Sequence, residues 1–301
     1  MTFDQRELAA FLGVAKTGSV GRASEALSLT QPAISRTISN LESRLGAKLF
    51  VRHSTGMELT AFGEALQPHA ELIQSEMRRM SEQVDVLKGS AKGVVRIGVV
   101  PSVAANLLPK AIASVLQRSP EIQVQVLEGT GNRLIASLSR GDIELAIVGL
   151  TQEPFDEDVV VTPLLEDQIC VIGRWAHPLF AQQKIAMSDL VRYRWAMPER
   201  GNVILGEYRL MFRRAGLEPP PVSVESNSVH ILKSLLATTD FLTMLARDTF
   251  QVEEKAGLVR AVPLAEGHWR RRLGLVRRSS ARLLPGASLI FTEIRRVASS
   301  L

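Results

Sequence analysis

The stretch from residue 19 to residue 52, SVGRASEALSLTQPAISRTISNLESRLGAKLFVR, limits more than any other what this chain can fold into. Val20, Ala23 and Leu27 recur at helical spacing and define one apolar face. Ser28-Leu29-Thr30 makes a tight turn, and Thr30 is an N-cap residue for a second helix. Pro32 falls in the first turn of that helix, where a missing N–H costs little. Ile34, Ile38, Leu41 and Leu45 then form an apolar seam, with Gln31, Ser35, Arg36 and Ser39 on the opposite side. A helix with an aliphatic seam and a short polar, partly cationic face at its N-terminal end suits insertion into a DNA major groove.

The flanks complete a small domain. Leu8, Phe11, Leu12 and Ala15 mark a preceding amphipathic helix that Gly18 ends, and it supplies a third wall of the core. After Gly46 the period changes: 49–51 is a short strand, 53–56 a turn and 57–60 a returning strand, together a wing. Thr60 caps a long helix to about residue 87, with apolar positions at Phe62, Leu66, Ile73, Met77 or Met80, Val84 and Leu87, and His69 in the same row. Steps of three and four resemble a coiled-coil seam. Pro68 should bend this helix by deleting its bond to the Glu64 carbonyl. The first two turns can pack on their own domain, whereas the later ones have no obvious partner within the chain and point to a dimer.

Residues 89–93, GSAKG, read as a flexible linker, after which strands of continuous aliphatics alternate with helices. Strands are expected at 94–100, 122–127 and 145–148, with helices at 104–118 and 132–140 between them. Strands without polar alternation are buried on both faces, so a largely parallel α/β sheet is expected. Further strands fall at 168–173, 193–197, 222–225 and 241–246. Pro163-Leu164 and Pro263-Leu264 each end an extended segment, either by coincidence or because a second lobe is inserted between two crossovers.

Net charge is +5, but residues 1–60 hold only seven basic and five acidic residues, whereas 264–301 hold eight basic and two acidic ones. Basicity is therefore permissive evidence for a nucleic-acid partner. No apolar run approaches the ~18 residues that span a membrane. The single cysteine, Cys170, excludes an intramolecular disulfide framework and fits a reducing compartment. With no signal peptide visible at the N-terminus, a cytoplasmic location is expected.

Over essentially its whole length the chain resembles the LysR-type transcriptional regulators. The resemblance is carried by Ala23-Ser24-Glu25-Ala26-Leu27, Thr30-Gln31-Pro32-Ala33-Ile34-Ser35-Arg36, Leu41-Glu42, Leu45-Gly46, Leu49-Phe50-Val51-Arg52 and Leu59-Thr60 with Gly63. Downstream, Gly93-Val94-Val95-Arg96-Ile97-Gly98, Gly141-Asp142-Ile143-Glu144-Leu145-Ala146-Ile147 and His177-Pro178-Leu179 match the family's effector domain. The implied architecture is α/β with an N-terminal winged helix-turn-helix (1–60), a dimerising linker helix (61–90) and a two-lobed periplasmic-binding-protein type II effector domain (91–301). One lobe would take about 91–163 and 264–301, the other about 164–263. The implied function is regulation of promoter DNA by a homo-oligomer, usually a tetramer, tuned by a small co-inducer of unknown identity. RNA polymerase is a candidate further partner, and no membrane partner, metal or other cofactor is expected.

Gln31, Pro32, Ser35 and Arg36 occupy positions that the family uses at DNA. Gln31 can bond an adenine edge and Arg36 a guanine or a phosphate, while Thr30 and Ser35 suit phosphate contacts. Arg52, His53 and Ser54 on the wing fit either a backbone or minor-groove contact or a plain exposed turn. Ser102, with its neighbour Val103, and Thr130 follow strands and precede helices, where free N–H groups favour an anion or polar ligand. The family commonly binds effectors at positions matching Ser102 and Thr130, although such residues also serve as caps. Asn202, Val203 and Asn227 lie where a second lobe could close over the same ligand, and Arg133 and Arg200 are near enough in sequence to meet a carboxylate.

Other motifs point elsewhere or nowhere. Gly129-Thr130-Gly131 lacks the third glycine of a dinucleotide turn, since Leu134 stands there. Arg270-Arg271-Arg272 and Arg277-Arg278 bracket an apolar run and read as a strand with solvated flanks or a subunit contact. The five histidines have no metal-ligand spacing, Cys170 reads as a buried structural thiol, and no nucleophile–base ordering suggests an enzyme.

Overall fold

In the computed structural model, which describes residues 3–88, 93–150, 155, 158–199, 202–264 and 268–301, the chain divides into two compact units, the first taking residues up to 92 with 139–142 and the second the remainder. In the first, Asp4 opens α1 (Gln5–Thr17) with a capping box: its carboxylate accepts the Arg6 N–H and Glu7 accepts the Asp4 N–H. Gly18, at φ 64°, ends the helix in the left-handed region. α2 (Val20–Ala26) and α3 (Gln31–Leu45) follow, joined by a turn in which Ser28 also takes positive φ. Thr30 does stand at the N-cap of α3 but makes no side-chain cap bond. Ile34, Ile38 and Leu41 are buried with Leu8, Phe11 and Leu49, and the Phe11 and Phe50 rings lie 5.5 Å apart.

The wing consists of β1 (Phe50–His53) and β2 (Gly56–Leu59), antiparallel and joined across Ser54 and Thr55. Two contacts fix its position. A Cβ at Gly56 would lie 2.5 Å from the Gly18 carbonyl, which the Met57 N–H bonds at 2.9 Å. At the other end, buried Glu42 accepts the Leu49 N–H at 2.9 Å and pairs with Lys48 at 2.6 Å. Thr60 then caps α4 (Ala61–Leu87), which continues through Pro68 as one helix. Gly63 and Ala70 face the unit's own core, while Phe62, Ile73, Met80, Val84 and Leu87 stay exposed. The linker expected at 89–93 lies, apart from Gly93, outside the described residues.

The second unit opens with β3 (Val94–Val99), α5 (Pro101–Ala105) and α6 (Leu107–Arg118). The single helix expected at 104–118 is thus two helices, broken at Asn106. β4 (Gln123–Glu128), α7 (Gly131–Ser139) and β5 (Leu145–Gly149) follow. Next comes β6 (Val159–Arg174), a strand of 16 residues. The second lobe holds α8 (Met187–Leu190), β7 (Trp195–Met197), α9 (Val203–Arg214), β8 (Val222–Glu225) and α10 (Val229–Thr238). It continues with β9 (Thr243–Ala246), a single 3-10 turn at Arg247–Thr249, α11 (Gln251–Lys255) and β10 (Val259–Ala261). The chain returns through β11 (His268–Arg278) and ends in α12 (Pro285–Ala298).

The seven-stranded sheet runs β10-β6-β11-β5-β3-β4, with β9 also on β6. It is mixed, and this corrects the largely parallel sheet expected from hydropathy: β3 is parallel to β4 and β5, but every pairing of β6 and β11 is antiparallel. Apolar runs report burial on both faces and carry no information on strand direction. β4 departs in another way, since Val126 and Leu127 on this edge strand are exposed.

β6 and β11 carry the chain between the lobes. Pro163-Leu164 does not end β6; the register shifts there, Pro163 standing opposite Gly274 and Leu165 opposite Leu273. Leu164 is the extra residue of a bulge, which suits a neighbour without an N–H to give to the ladder. A Cβ at Gly274 would lie 2.6 Å from Leu150 Cδ2, so that side chain would have to shift to admit one. The first lobe packs Ile97, Leu108, Leu134, Ile147 and Leu275 against α12, and the second packs Trp195, Tyr208 and Phe212 as a ring cluster. Val262 and Leu264 belong to that second core, so the return to the first lobe comes later than residue 264, where β11 reaches β5 at Leu273.

His177 pins a loop of the second lobe. Its Nδ1 accepts the Leu179 N–H at 3.1 Å, so Nε2 carries the proton and donates to the Asp240 carbonyl at 3.1 Å. Burial lowers its pKa, against the pull of Asp240. The folded state therefore holds this ring neutral, and stability is full above the unfolded value of about 6.5 and is lost as the pH falls from there through the lower folded value. Thermal melts at pH 7.5 and 5.5 should show a smaller acid loss for His177→Gln than for the wild type. Glu42→Ala, which strands a buried N–H, should cost about 1–3 kcal/mol in urea unfolding followed by far-UV circular dichroism, with Glu42→Gln costing less.

Candidate functional site

Two concave surfaces hold the residues singled out by sequence, one in each unit. In the first unit an open groove of about 860 Å³ lies between α3 and the wing. Gln31 and Ser35 line it from the helix; Arg52, His53 and Ser54 line it from the hairpin. Thr30, Pro32 and Arg36 are exposed at the N-terminal end of α3 but lie outside that groove. Helix and wing thus present two edges of one surface, as a strand of duplex would require. His53 faces Glu58 across the hairpin at 3.4 Å, which offsets the wing's positive charge. A Cβ at Gly21 would come within 3.2 Å of the Gln31 amide, so α2 packs directly beneath a base-reading candidate.

In the second unit a cavity of about 110 Å³ lies between the lobes, at the point where β6 and β11 cross. Ser102 and Thr130 line it from the first lobe; Asn202, Val203 and Asn227 line it from the second. Its walls are otherwise mostly apolar, including Ile135, Val148, Phe155, Leu232 and Leu245. α7, α9 and α10 begin at Gly131, Val203 and Val229, and all three residues border the cavity. Their first N–H groups favour negative charge. Outside the lining, the Asn106 amide donates to Asp248 at 3.0 Å, a hydrogen bond between the lobes.

Several site expectations change on this geometry. Val103 is buried in the first lobe's core and does not border the cavity. Asn202 caps α9 by accepting the Ile204 N–H, and the Asn227 amide is tied to Glu199. Arg133 is exposed away from the lining, and Arg200 lies outside the described residues.

The cation that the structure does place at the cavity is Arg271, which sequence reasoning treated as part of a solvated or intersubunit patch. It is 6% exposed and stands directly opposite Asp167 on the two crossing strands. Arg271 Nε donates to Asp167 Oδ1 at 3.0 Å, and Nη2 donates to Oδ2 at 2.5 Å. Ser102 joins them: its hydroxyl donates to Asp167 at 2.7 Å and accepts from Arg271 at 3.1 Å. The signal was strand alternation, since Arg270 and Arg272 point outward and Arg271 between them must point in. Cys170, buried in the same strand as Asp167, has a thiol pushed up by that burial and is chemically quiet.

Comparison with known proteins assigns a family to each of the two regions. Residues 5–64 match the bacterial regulatory helix-turn-helix protein model of the lysR family, and residues 88–299 match the LysR substrate binding domain. The SDS degradation transcriptional activation protein of a Pseudomonas species is 30% identical over 288 residues, covering 94% of this chain and 93% of its own. The regulator GalR of Pseudomonas putida is 27% identical, over 98% of this chain and 74% of its own. Full-length CbnR, solved with its target DNA, superposes with a TM-score of 0.70 at 18% identity, over 98% of this chain and 100% of that one. The chain therefore belongs to the LysR family of DNA-binding transcriptional regulators, with a helix-turn-helix domain ahead of a LysR substrate-binding domain.

Proposed function

We propose that a small co-inducer bound in the interlobe cavity biases the DNA-bound oligomer of this regulator between two arrangements. One observation carries this reading: a partly apolar cavity bordered by Ser102 and Thr130 from one lobe and by Asn202, Val203 and Asn227 from the other. A ligand touching both lobes has different affinities for their open and closed arrangements, and only that difference shifts a population. Dimerisation through α4 is supported by its exposed seam, in which Ile73, Met80 and Leu87 have no cover within the described chain. Pairing dimers into a tetramer would bring heads to neighbouring half-sites.

The reading includes no turnover of the ligand. Ser102 is bonded to Asp167 and Arg271 rather than to a base, and the described residues hold no cluster of metal-ligating side chains. It places the protein in the cytoplasm with its promoter DNA, and no helix of the described residues is long and apolar enough to cross a membrane.

Two measurements test the two halves separately. In a mobility-shift titration on the chain's own promoter region, Gln31→Ala and Arg36→Ala should each weaken specific binding by about 1–3 kcal/mol, the value of a lost base or phosphate contact. Unchanged affinity in both would remove the assignment of α3 as the reader. In a promoter-reporter assay, Ser102→Ala and Thr130→Ala should blunt the inducer response and leave DNA affinity as it was; lost DNA binding would count against the cavity as the effector site.

A further inference from the structure

Arg271 is built into the cavity floor for a purpose that its partner Asp167 leaves unfinished. Its guanidinium spends Nε and Nη2 on Asp167 and Ser102, and among the described residues Nη1 has no acceptor. The side chain is more than nine-tenths buried, and it borders the cavity. Room for it has been kept as well: a Cβ at Gly149 would lie 2.8 Å from Arg271 Cδ. Arg271 is the sole ionisable residue among the described lining residues, the Asp167 carboxylate standing behind it.

We propose that the effector is a small monocarboxylate with an apolar body, and that its carboxylate is received by Arg271 Nη1. This inference rests on the cavity being the effector site. The three helix N-termini at Gly131, Val203 and Val229 add positive potential, so an anion is preferred over a neutral acceptor of the same shape. Asp167 already neutralises the guanidinium, so a further anion is held by the remaining Nη1 donor and the helix N–H groups alone, which suits a monoanion better than a phosphate dianion. The apolar walls at Ile135, Phe155 and Leu232 take the remainder of the ligand. Because Arg271 and Asp167 face each other on β11 and β6, the carboxylate also competes with Asp167 on the strands that join the lobes.

The test uses the full-length protein and matched probes: benzoate against benzamide, and butyrate against butyramide, by thermal shift and calorimetry at neutral pH. At least one acid should bind about tenfold or more tightly than its amide. Arg271→Gln should bring acid and amide within about twofold of each other, mainly by weakening the acid, and Arg271→Lys should restore part of the preference. Asp167→Asn should leave acid binding intact or stronger. If Arg271→Gln does not fold, the acid-to-amide ratio in the wild type and in Arg271→Lys decides alone. Amides binding as well as acids, or a ratio indifferent to Arg271, would overturn the proposal. The cavity reading would then stand on Thr130→Ala weakening both members of a pair. Absence of binding by every probe also overturns the carboxylate class, and the reporter response of Ser102→Ala and Thr130→Ala still judges the cavity itself.

Discussion

The antiparallel pairing of β6 with β11 is the constraint on which the effector half depends. These strands are the interior of the large sheet and also the path between the lobes. A charged pair buried in that position is costly unless its partners are bonded, and the Asp167–Arg271 geometry offsets that cost with two parallel N–H···O bonds and a serine hydroxyl, leaving only Arg271 Nη1 without an acceptor among the described residues. The bulge at Leu164 lies a few residues from the pair and adds local twist where the chain passes from one lobe to the other. In the proposed reading, a ligand at this point would act on the strands that any change in lobe closure must deform.

The DNA-reading half depends on a different kind of constraint, backbone approach. Gly18 and Gly56 let the wing lie against the turn after α1, and Glu42 ties the start of the first wing strand to the last turn of α3. Reader helix and wing are thereby held as one surface, so side chains on both can address a single duplex without a further ordering cost. That rigidity is local and needs nothing from the second unit.

Much of this was legible in the sequence wherever the determinants were local. Helical spacing, Gly18, Gly46 and Thr60 set the ends of α1 and α3 and the start of α4, whereas α1 begins three residues before Leu8, the first residue of its apolar pattern. The same logic failed where partners are distant. Asp167 and Arg271 are separated by 104 positions, and neither has a neighbour in sequence that explains its burial. Strand direction in the sheet was hidden because β11 inserts between β5 and β6 from the far end of the chain. Pro163 looked like an ending because a proline breaks a regular ladder, but a bulge gave it a place within one continuous strand. The cation expected near Thr130 came instead from β11, on the side of a strand that charge counting had assigned to solvent.

The late position of β11 also bears on biosynthesis. β5 pairs with both β3 and β11, and its partner residues in β11 are made only after the entire second lobe. A nascent chain can complete its N-terminal unit from neighbouring helices and a hairpin, all of low sequence separation, as soon as those residues emerge. The sheet of the first lobe keeps β5 and β6 unjoined until β11, which pairs with both, has been made. The helix-turn-helix thus precedes, in order of synthesis, the strand that completes the sheet behind it, and that strand has to enter the middle of the sheet rather than add to an edge.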